Sequence, residues 1–226
     1  LMEANADPTV MIGGYLPLLH AGHRVGKGDT IVLECCEYCD SFLNFFPTLA
    51  VVLNVEADHL DYFKDLQDVQ KSFHKFAQIA TGGVIANGDS QHTLQALEGL
   101  DYLTFGLEPH NQVHPENMSA DWRHFDVVCD GKFYCHLDMG VMGRHNALNS
   151  LAAAATAWKM GVPGDAVARG IHAFHGAGRR MEYKGEYNGA KVYDDYAHHP
   201  DELAATIETA RSMGGKRLIV AFQPHT

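Results

Sequence analysis

The chain has 226 residues, 46% of them hydrophobic and 20% charged, which supports a sizeable core in one large domain or two unequal ones. Asp and Glu number 28 against 17 Lys and Arg, so the net charge is −11. That acidity argues against general nucleic-acid or anionic-membrane binding and leaves room only for a local basic pocket. No stretch approaches the roughly 20 apolar residues of a membrane span, and no basic-then-apolar segment stands at the start.

Two counts stand out: 15 His and 5 Cys. The odd cysteine number, in a chain too long for a small disulfide scaffold, predicts the reduced thiols of a cytoplasmic protein. The first residue is Leu1, not Met, and the last, Thr226, closely follows the apolar run Leu218–Phe222. A strand at the very end of a chain needs neighbours, so the ends predict a piece cut from a longer protein.

Taken in order, strand-like runs are expected at Thr30–Leu33, Leu49–Asn54, Gly83–Ala86, Tyr102–Phe105, Phe125–Val128, Lys132–Leu137, Ala190–Tyr193 and Leu218–Phe222. Several are continuous apolar runs, as in strands buried on both faces. Helices fall between them. Over Asp65–Ala80, Leu66, Val69, Phe73, Phe76, Ala77 and Ala80 recur at helical spacing. Arg144–Met160 is Ala-rich, which lets a helix approach a sheet closely. Pro163–Phe174 reads as a further short helix. Pro200 with Asp201 and Glu202 starts another, which Gly214-Gly215 stops. Asp130-Gly131 joins two of the runs as a hairpin. The alternation predicts an α/β fold with a mostly parallel sheet flanked by helices. A domain boundary is expected at Phe174–Gly178.

Five segments carry candidate chemistry. Glu34-Cys35-Cys36-Glu37-Tyr38-Cys39-Asp40 follows the apolar run Ile31–Leu33, and ligands in open α/β sheets bind beyond the carboxyl ends of strands. Its thiols also raise zinc or redox chemistry. The only other Cys pair, Cys129 and Cys135, is spaced too widely for a zinc knuckle, so part-buried structural thiols are the simpler reading. Asn54-Val55-Glu56-Ala57-Asp58-His59-Leu60-Asp61 follows a second apolar run. If both strand ends belong to one sheet, a carboxylate and an imidazole meet in one cleft; the alternative is a polar loop capping the next helix. In Gly143-Arg144-His145-Asn146-Ala147-Leu148-Asn149, helical spacing puts His145, Asn146 and Asn149 on one face, and amides suit a nucleobase edge. Plain helix capping explains the same residues. Gly176-Ala177-Gly178-Arg179-Arg180 suits phosphate recognition, or a solvated linker. Tyr193-Asp194-Asp195-Tyr196-Ala197-His198-His199-Pro200 is a strand end with acids and imidazoles, or a polar turn. No Gly-x-x-x-x-Gly-Lys-Ser/Thr loop and no Gly-x-Ser-x-Gly elbow is present.

Together, Glu34-x-x-Glu37, Asn54-Val-Glu-Ala-Asp-His59-Leu-Asp61, the 143–149 segment, Gly178-Arg-Arg180 and Asp194-Asp-Tyr-Ala-His-His-Pro200 resemble the Mur ligases. The resemblance runs from about Thr30 to the last residue, and Phe222-Gln223-Pro224-His225 looks like the start of another family motif. Within the family, the combination is most similar to the members that join L-alanine to UDP-N-acetylmuramate, with the murein-peptide recycling ligases as nearest rivals. The resemblance implies a central ATPase domain over residues 1–175. It also implies the opening of a Rossmann-like, amino-acid-binding C-terminal domain over 176–226.

The implied chemistry is ATP-dependent. A carboxylate is phosphorylated to an acyl phosphate, and an amine then displaces the phosphate. By resemblance, Glu34 and His59, 25 positions apart, hold Mg2+. His145, Asn146 and Asn149 meet the adenine. Arg180 reaches the ATP phosphates after domain closure, Asp195 meets the ribose, and His198 or His199 faces the substrate. The family's phosphate loop precedes the segment that starts at Leu1, so weak ATP binding is expected of these residues alone. Where relatives carry aspartates, this chain has Cys36 and Cys39; those aspartates are thus not indispensable magnesium ligands, and the thiols predict sensitivity to oxidation. Two other readings stay open: a non-catalytic metal or redox module built on the Cys and His clusters, and a binding-only relative.

Overall fold

The structure is a computed structural model that describes residues 1–198 and 200–223, without the side chain of Asp201. The strands are β1 (Thr9–Leu16), β2 (Ala21–Arg24), β3 (Ile31–Leu33), β4 (Leu49–Val52), β5 (Gly83–Asn87), β6 (Tyr102–Phe105), β7 (Val113–Glu116), β8 (His124–Cys129), β9 (Lys132–Asp138), β10 (Glu182–Tyr187) and β11 (Ala190–Asp194). The helices are α1 (Leu66–Ile79), α2 (Gln91–Ala96), α3 (Arg144–Lys159), α4 (Gly164–Ala173) and α5 (Pro200–Ser212).

Strands β4 to β9 form a six-stranded sheet in sequence order. Strands β4 to β7 run parallel, and β8 and β9 continue the sheet antiparallel. The β8–β9 turn is the expected hairpin: Asp130 and Gly131 have φ of 47° and 72°, the left-handed pair that a two-residue turn requires.

Strand β5 shows how the sheet is buried. Val84 and Ala86 pack in one apolar cluster with Val52, Val69, Ala77 and Leu97, on the side of α1 and α2. Ile85 points the other way, into a cluster with Phe105, Phe125, Leu137, Leu151 and Ala155 beneath α3. Alternate residues thus enter opposite cores, which is why the run reads as continuously apolar. The alanines of α3 do what their size suggests: Ala147, Ala152, Ala154 and Ala155 are buried and let the helix lie close to the sheet. Asp65 caps α1 by accepting the Asp68 amide hydrogen at 2.9 Å.

Two expectations are corrected. Strand β3 does not join the sheet that contains β4. It pairs in parallel with β1, inside a separate sheet of order β2-β1-β3. The glycine-bearing strand β1, unrecognised in the sequence, takes that pairing. Ile31, Val32 and Leu33 are consequently exposed, not buried on both faces. The run Leu218–Phe222 forms no strand, and its large side chains are exposed. Without a neighbouring strand, its backbone groups have no ladder to join. No helix among the described residues is long and apolar enough to cross a membrane.

Candidate active site

Two clusters of candidate side chains form. The first surrounds His59. Glu37 leads into the helical turn Tyr38–Asn44, inside which Cys39 and Asp40 have positive φ of 53° and 55°. This unusual backbone is stapled to the loop after β4 by two reciprocal bonds. The Tyr38 hydroxyl donates to Asp61 at 3.0 Å, and the Tyr62 hydroxyl donates to Asp40 at 2.8 Å. Each aspartate pushes its tyrosine's phenol up, because the neutral phenol keeps the bond. The Ser72 hydroxyl of α1 also donates to Asp40.

The staples bring the two loops face to face. His59 Nε2 lies 3.6 Å from Glu37 and 4.0 Å from Asp58. The Tyr38 ring sits 4.8 Å from the imidazole. His59 itself has φ of 54°, and its amide donates to the Asp58 carboxylate at 2.7 Å. Among the described residues, Glu37, Asp58 and His59 are the group whose ligand atoms all lie within 4.8 Å of one another. Two carboxylates and one imidazole, all half-buried, fit a hydrated divalent cation.

Glu34 stands apart from that trio. It follows β3, and its carboxylate accepts the Gly13 amide hydrogen of β1 at 2.7 Å. Glu37 and Asp58 were thus missed as partners of His59; the only sequence signal was their proximity to expected strand ends.

The second cluster forms at the start of α3. Gly143 caps the helix with φ of 105°. His145 and Asn146 lie in its first turn, and Asn149 is exposed one turn later. Asn146 donates its side-chain amide to the Met142 carbonyl at 2.7 Å, so part of its donor capacity is spent locally. Burial lowers the His145 imidazole below its ordinary value of 6.5; Arg180 adds to this, while Asp195 and Glu208 oppose it. The ring is therefore neutral at pH 7.

Those influences place the arginine loop and the 194–198 segment beside α3. The two segments are laced together. Asp195 accepts the amide hydrogens of Met181 and Ala197, each at 2.8 Å. The Tyr196 amide donates to the Arg179 carbonyl at 2.8 Å. Arg179 pairs with Asp194 at 3.2 Å and lies over the Tyr196 ring at 4.8 Å. Arg180 points to Glu202, its Nη1 at 3.2 Å. His198 also faces Glu202, and its Nδ1 lies 3.1 Å from the Tyr196 carbonyl. His199 lies outside the described residues. The structure thus gathers His145, Arg180, Asp195 and His198 in one region, with Asn146 and Asn149 on the adjoining helix.

Two family models match this chain: the Mur ligase middle domain over residues 16–157, and the Mur ligase glutamate ligase domain over residues 179–226. The chain belongs to the Mur ligase family. It is 40% identical over 233 aligned positions to the UDP-N-acetylmuramate–L-alanine ligase of Caldanaerobacter subterraneus subsp. tengcongensis, covering all of this chain and 51% of that protein. The enzyme of the same name from Agathobacter rectalis is 39% identical, with the same coverage. The chain spans about half the length of the curated relatives it matches.

Among solved structures, UDP-N-acetylmuramate-alanine ligase MurC from Thermotoga maritima superposes with a TM-score of 0.79 at 28% identity, over 93% of this chain and 49% of that one. A murein peptide ligase from Psychrobacter arcticus gives 0.72 at 25%, over 96% and 51%. This Mur ligase chain therefore has the α/β architecture read from its sequence. A metal or redox module on the cysteines is not favoured: all five cysteines are free, and no group with metal-ligand spacing among the described residues contains one.

Proposed function

We propose that this chain carries the nucleotide- and metal-binding core of an ATP-dependent ligase that joins L-alanine to the carboxylate of UDP-N-acetylmuramate. In this reading residues 1–175 belong to the central domain and residues 176–226 open the C-terminal one. The observation that carries the reading is the convergence of His145, Arg180 and Asp195 at the start of α3. A neutral imidazole and amides suit adenine, a guanidinium suits phosphate, and a carboxylate suits ribose hydroxyls. The names of the relatives supply the substrate pair.

ATP supplies the phosphoryl group that activates a carboxylate toward an amine, and Mg2+ supplies neutralisation of the charge that develops. Phosphoryl transfer is mostly positioning plus charge stabilisation, so the chain's own residues orient and screen. His145, Asn146 and Asn149 orient the base. Asp195 holds the sugar. Arg180 neutralises phosphate oxygens from the C-terminal side. Glu34 would meet Mg2+ from the end of β3, and His59, with Glu37 and Asp58 beside the imidazole, would meet it from the loop after β4. His198 is assigned to the substrate side; His199, the other candidate for that role, lies outside the described residues.

The test is an assay of the complete gene product with ATP, Mg2+, UDP-N-acetylmuramate and L-alanine. Stoichiometric ADP and amide product are expected, with loss of both in Arg180→Ala. Turnover with the murein tripeptide in place of L-alanine would move the assignment to the recycling ligases. Turnover with neither amine would refute it.

A further inference from the structure

Arg180 is the residue to which the proposed function gives the nucleotide phosphates, and it is held by a carboxylate that this function does not use. Glu202, in the first turn of α5, spends its two oxygens on two different segments. Oε1 accepts from Arg180 Nη1 at 3.2 Å. Oε2 accepts the His198 backbone amide hydrogen at 3.1 Å, with the His198 ring nitrogen at 3.4 Å. The second bond is a helix-start cap that reaches back along the chain, so it fixes the carboxylate to the end of α5.

The arginine needs such a partner. Its neighbours Arg179 and Met181 have positive φ of 56° and 48°, so the loop backbone is unusual on both sides. The Arg180 side chain is 53% exposed, so packing alone does not select its rotamer. A guanidinium has five N–H donors in a rigid fork. Glu202 engages it through Nη1, one nitrogen of the fork. Arg179 differs: its guanidinium is committed to Asp194 and to the Tyr196 ring.

We propose that Glu202 is a positioning residue that orients Arg180 for the phosphates of a nucleoside triphosphate. This rests on the reading of Arg180 as a phosphate ligand. Glu202 touches no substrate in this scheme; it acts through Arg180.

The experiment is calorimetric binding of ATP and, separately, adenosine to the complete gene product, using wild type, Glu202→Gln, Arg180→Ala and the double variant. Glutamine still accepts the His198 amide hydrogen but loses the charge that holds the guanidinium. Exposed ion pairs contribute up to about 1 kcal/mol, so Glu202→Gln should weaken ATP by about threefold to fivefold. It should leave adenosine unchanged and add nothing once Arg180 is alanine.

Equal weakening with and without Arg180 would make Glu202 a structural cap and overturn the proposal. So would unchanged or tighter ATP binding by Glu202→Gln while Arg180→Ala still weakens it. Unchanged ATP binding by Arg180→Ala would instead sink the parent reading. If Glu202→Gln melts early, Glu202→Asp replaces it: the charge remains, but the shorter arm no longer spans both partners, and the same dependence on Arg180 is expected.

Discussion

The Gly178 amide donates to the Tyr15 carbonyl at 2.8 Å, which ties the arginine loop to strand β1. Two residues earlier on the same strand, the Gly13 amide holds the Glu34 carboxylate. Residues two apart on a strand are separated by about 7 Å. One short strand thus anchors both the expected magnesium carboxylate and the loop that carries Arg180. Nothing in the alternation of apolar residues marks β1 for this role. It acts through its backbone, and backbone groups are the same in every sequence.

The Gly178 bond is testable because its two obvious substitutions differ. A Cβ at Gly178 would meet Tyr15 Cβ at 3.5 Å, which is ordinary contact, so Gly178→Ala should change the melting temperature little. Gly178→Pro removes the donor and should cost about 1 kcal/mol, with faster amide hydrogen exchange across residues 179–182. Equal behaviour of the two variants would show that the bond does not hold the loop.

His145 predicts a pH effect with a definite sign. Its folded value lies below the ordinary 6.5 because burial disfavours the charged ring. The unfolded chain therefore takes up a proton first as pH falls. Stability is full above pH 6.5 and is lost as pH drops from there through the lowered folded value. Urea midpoints at pH 7.5 and 5.5 should fall further for wild type than for His145→Gln, since the other histidines contribute equally to both. Parallel falls would show that His145 is not a depressed group.

Much of the scaffold was legible in the residues. The 3.6-residue pattern of α1, the small residues of α3 and the Asp130-Gly131 turn are local signals, and each folds as read. Pairing was not legible. Ile31–Leu33 has the composition of a buried central strand, yet lies exposed beside β1, because an apolar run does not name its neighbour. In the candidate site, the individual groups could be named from the sequence. Their company could not: the approach of Glu37 to His59 depends on two tyrosine–aspartate bonds across more than twenty residues. Strand β10, with its alternating charges and exposed tyrosines, gave no apolar signal at all.

Gly143 joins helix α3 to α5. With φ of 105°, it occupies backbone space that other residues rarely reach, and a Cβ there would lie 2.7 Å from the hydroxyl of buried Thr209. Gly143→Ala should cost about 1–3 kcal/mol in chemical unfolding. Adding Thr209→Ala should recover only part, because the clash is relieved while the backbone strain remains. Full recovery would mean that the close approach, not φ, requires glycine here.

The cysteines give a prediction in which exposure and charge state point the same way. Cys36 and Cys39 are exposed, and Cys35 is half-buried, its thiol pushed up by burial and by the Glu34 carboxylate. Cys129 and Cys135 are buried in the β8–β9 core, and burial pushes their thiols up to about 12 and about 11. Because the thiolate is the reacting form, the buried pair is protected twice, by access and by protonation. A chromogenic disulfide reagent at neutral pH should titrate Cys36 and Cys39 quickly and Cys35 more slowly. Cys129 and Cys135 should respond only in denaturant. In the Cys36→Ala/Cys39→Ala variant the fast phase should vanish, together with any peroxide-induced loss of the proposed activity seen in the wild type. If peroxide inactivates both proteins equally, the oxidation-sensitive group lies elsewhere, and Cys36 and Cys39 beside Glu37 have no part in it.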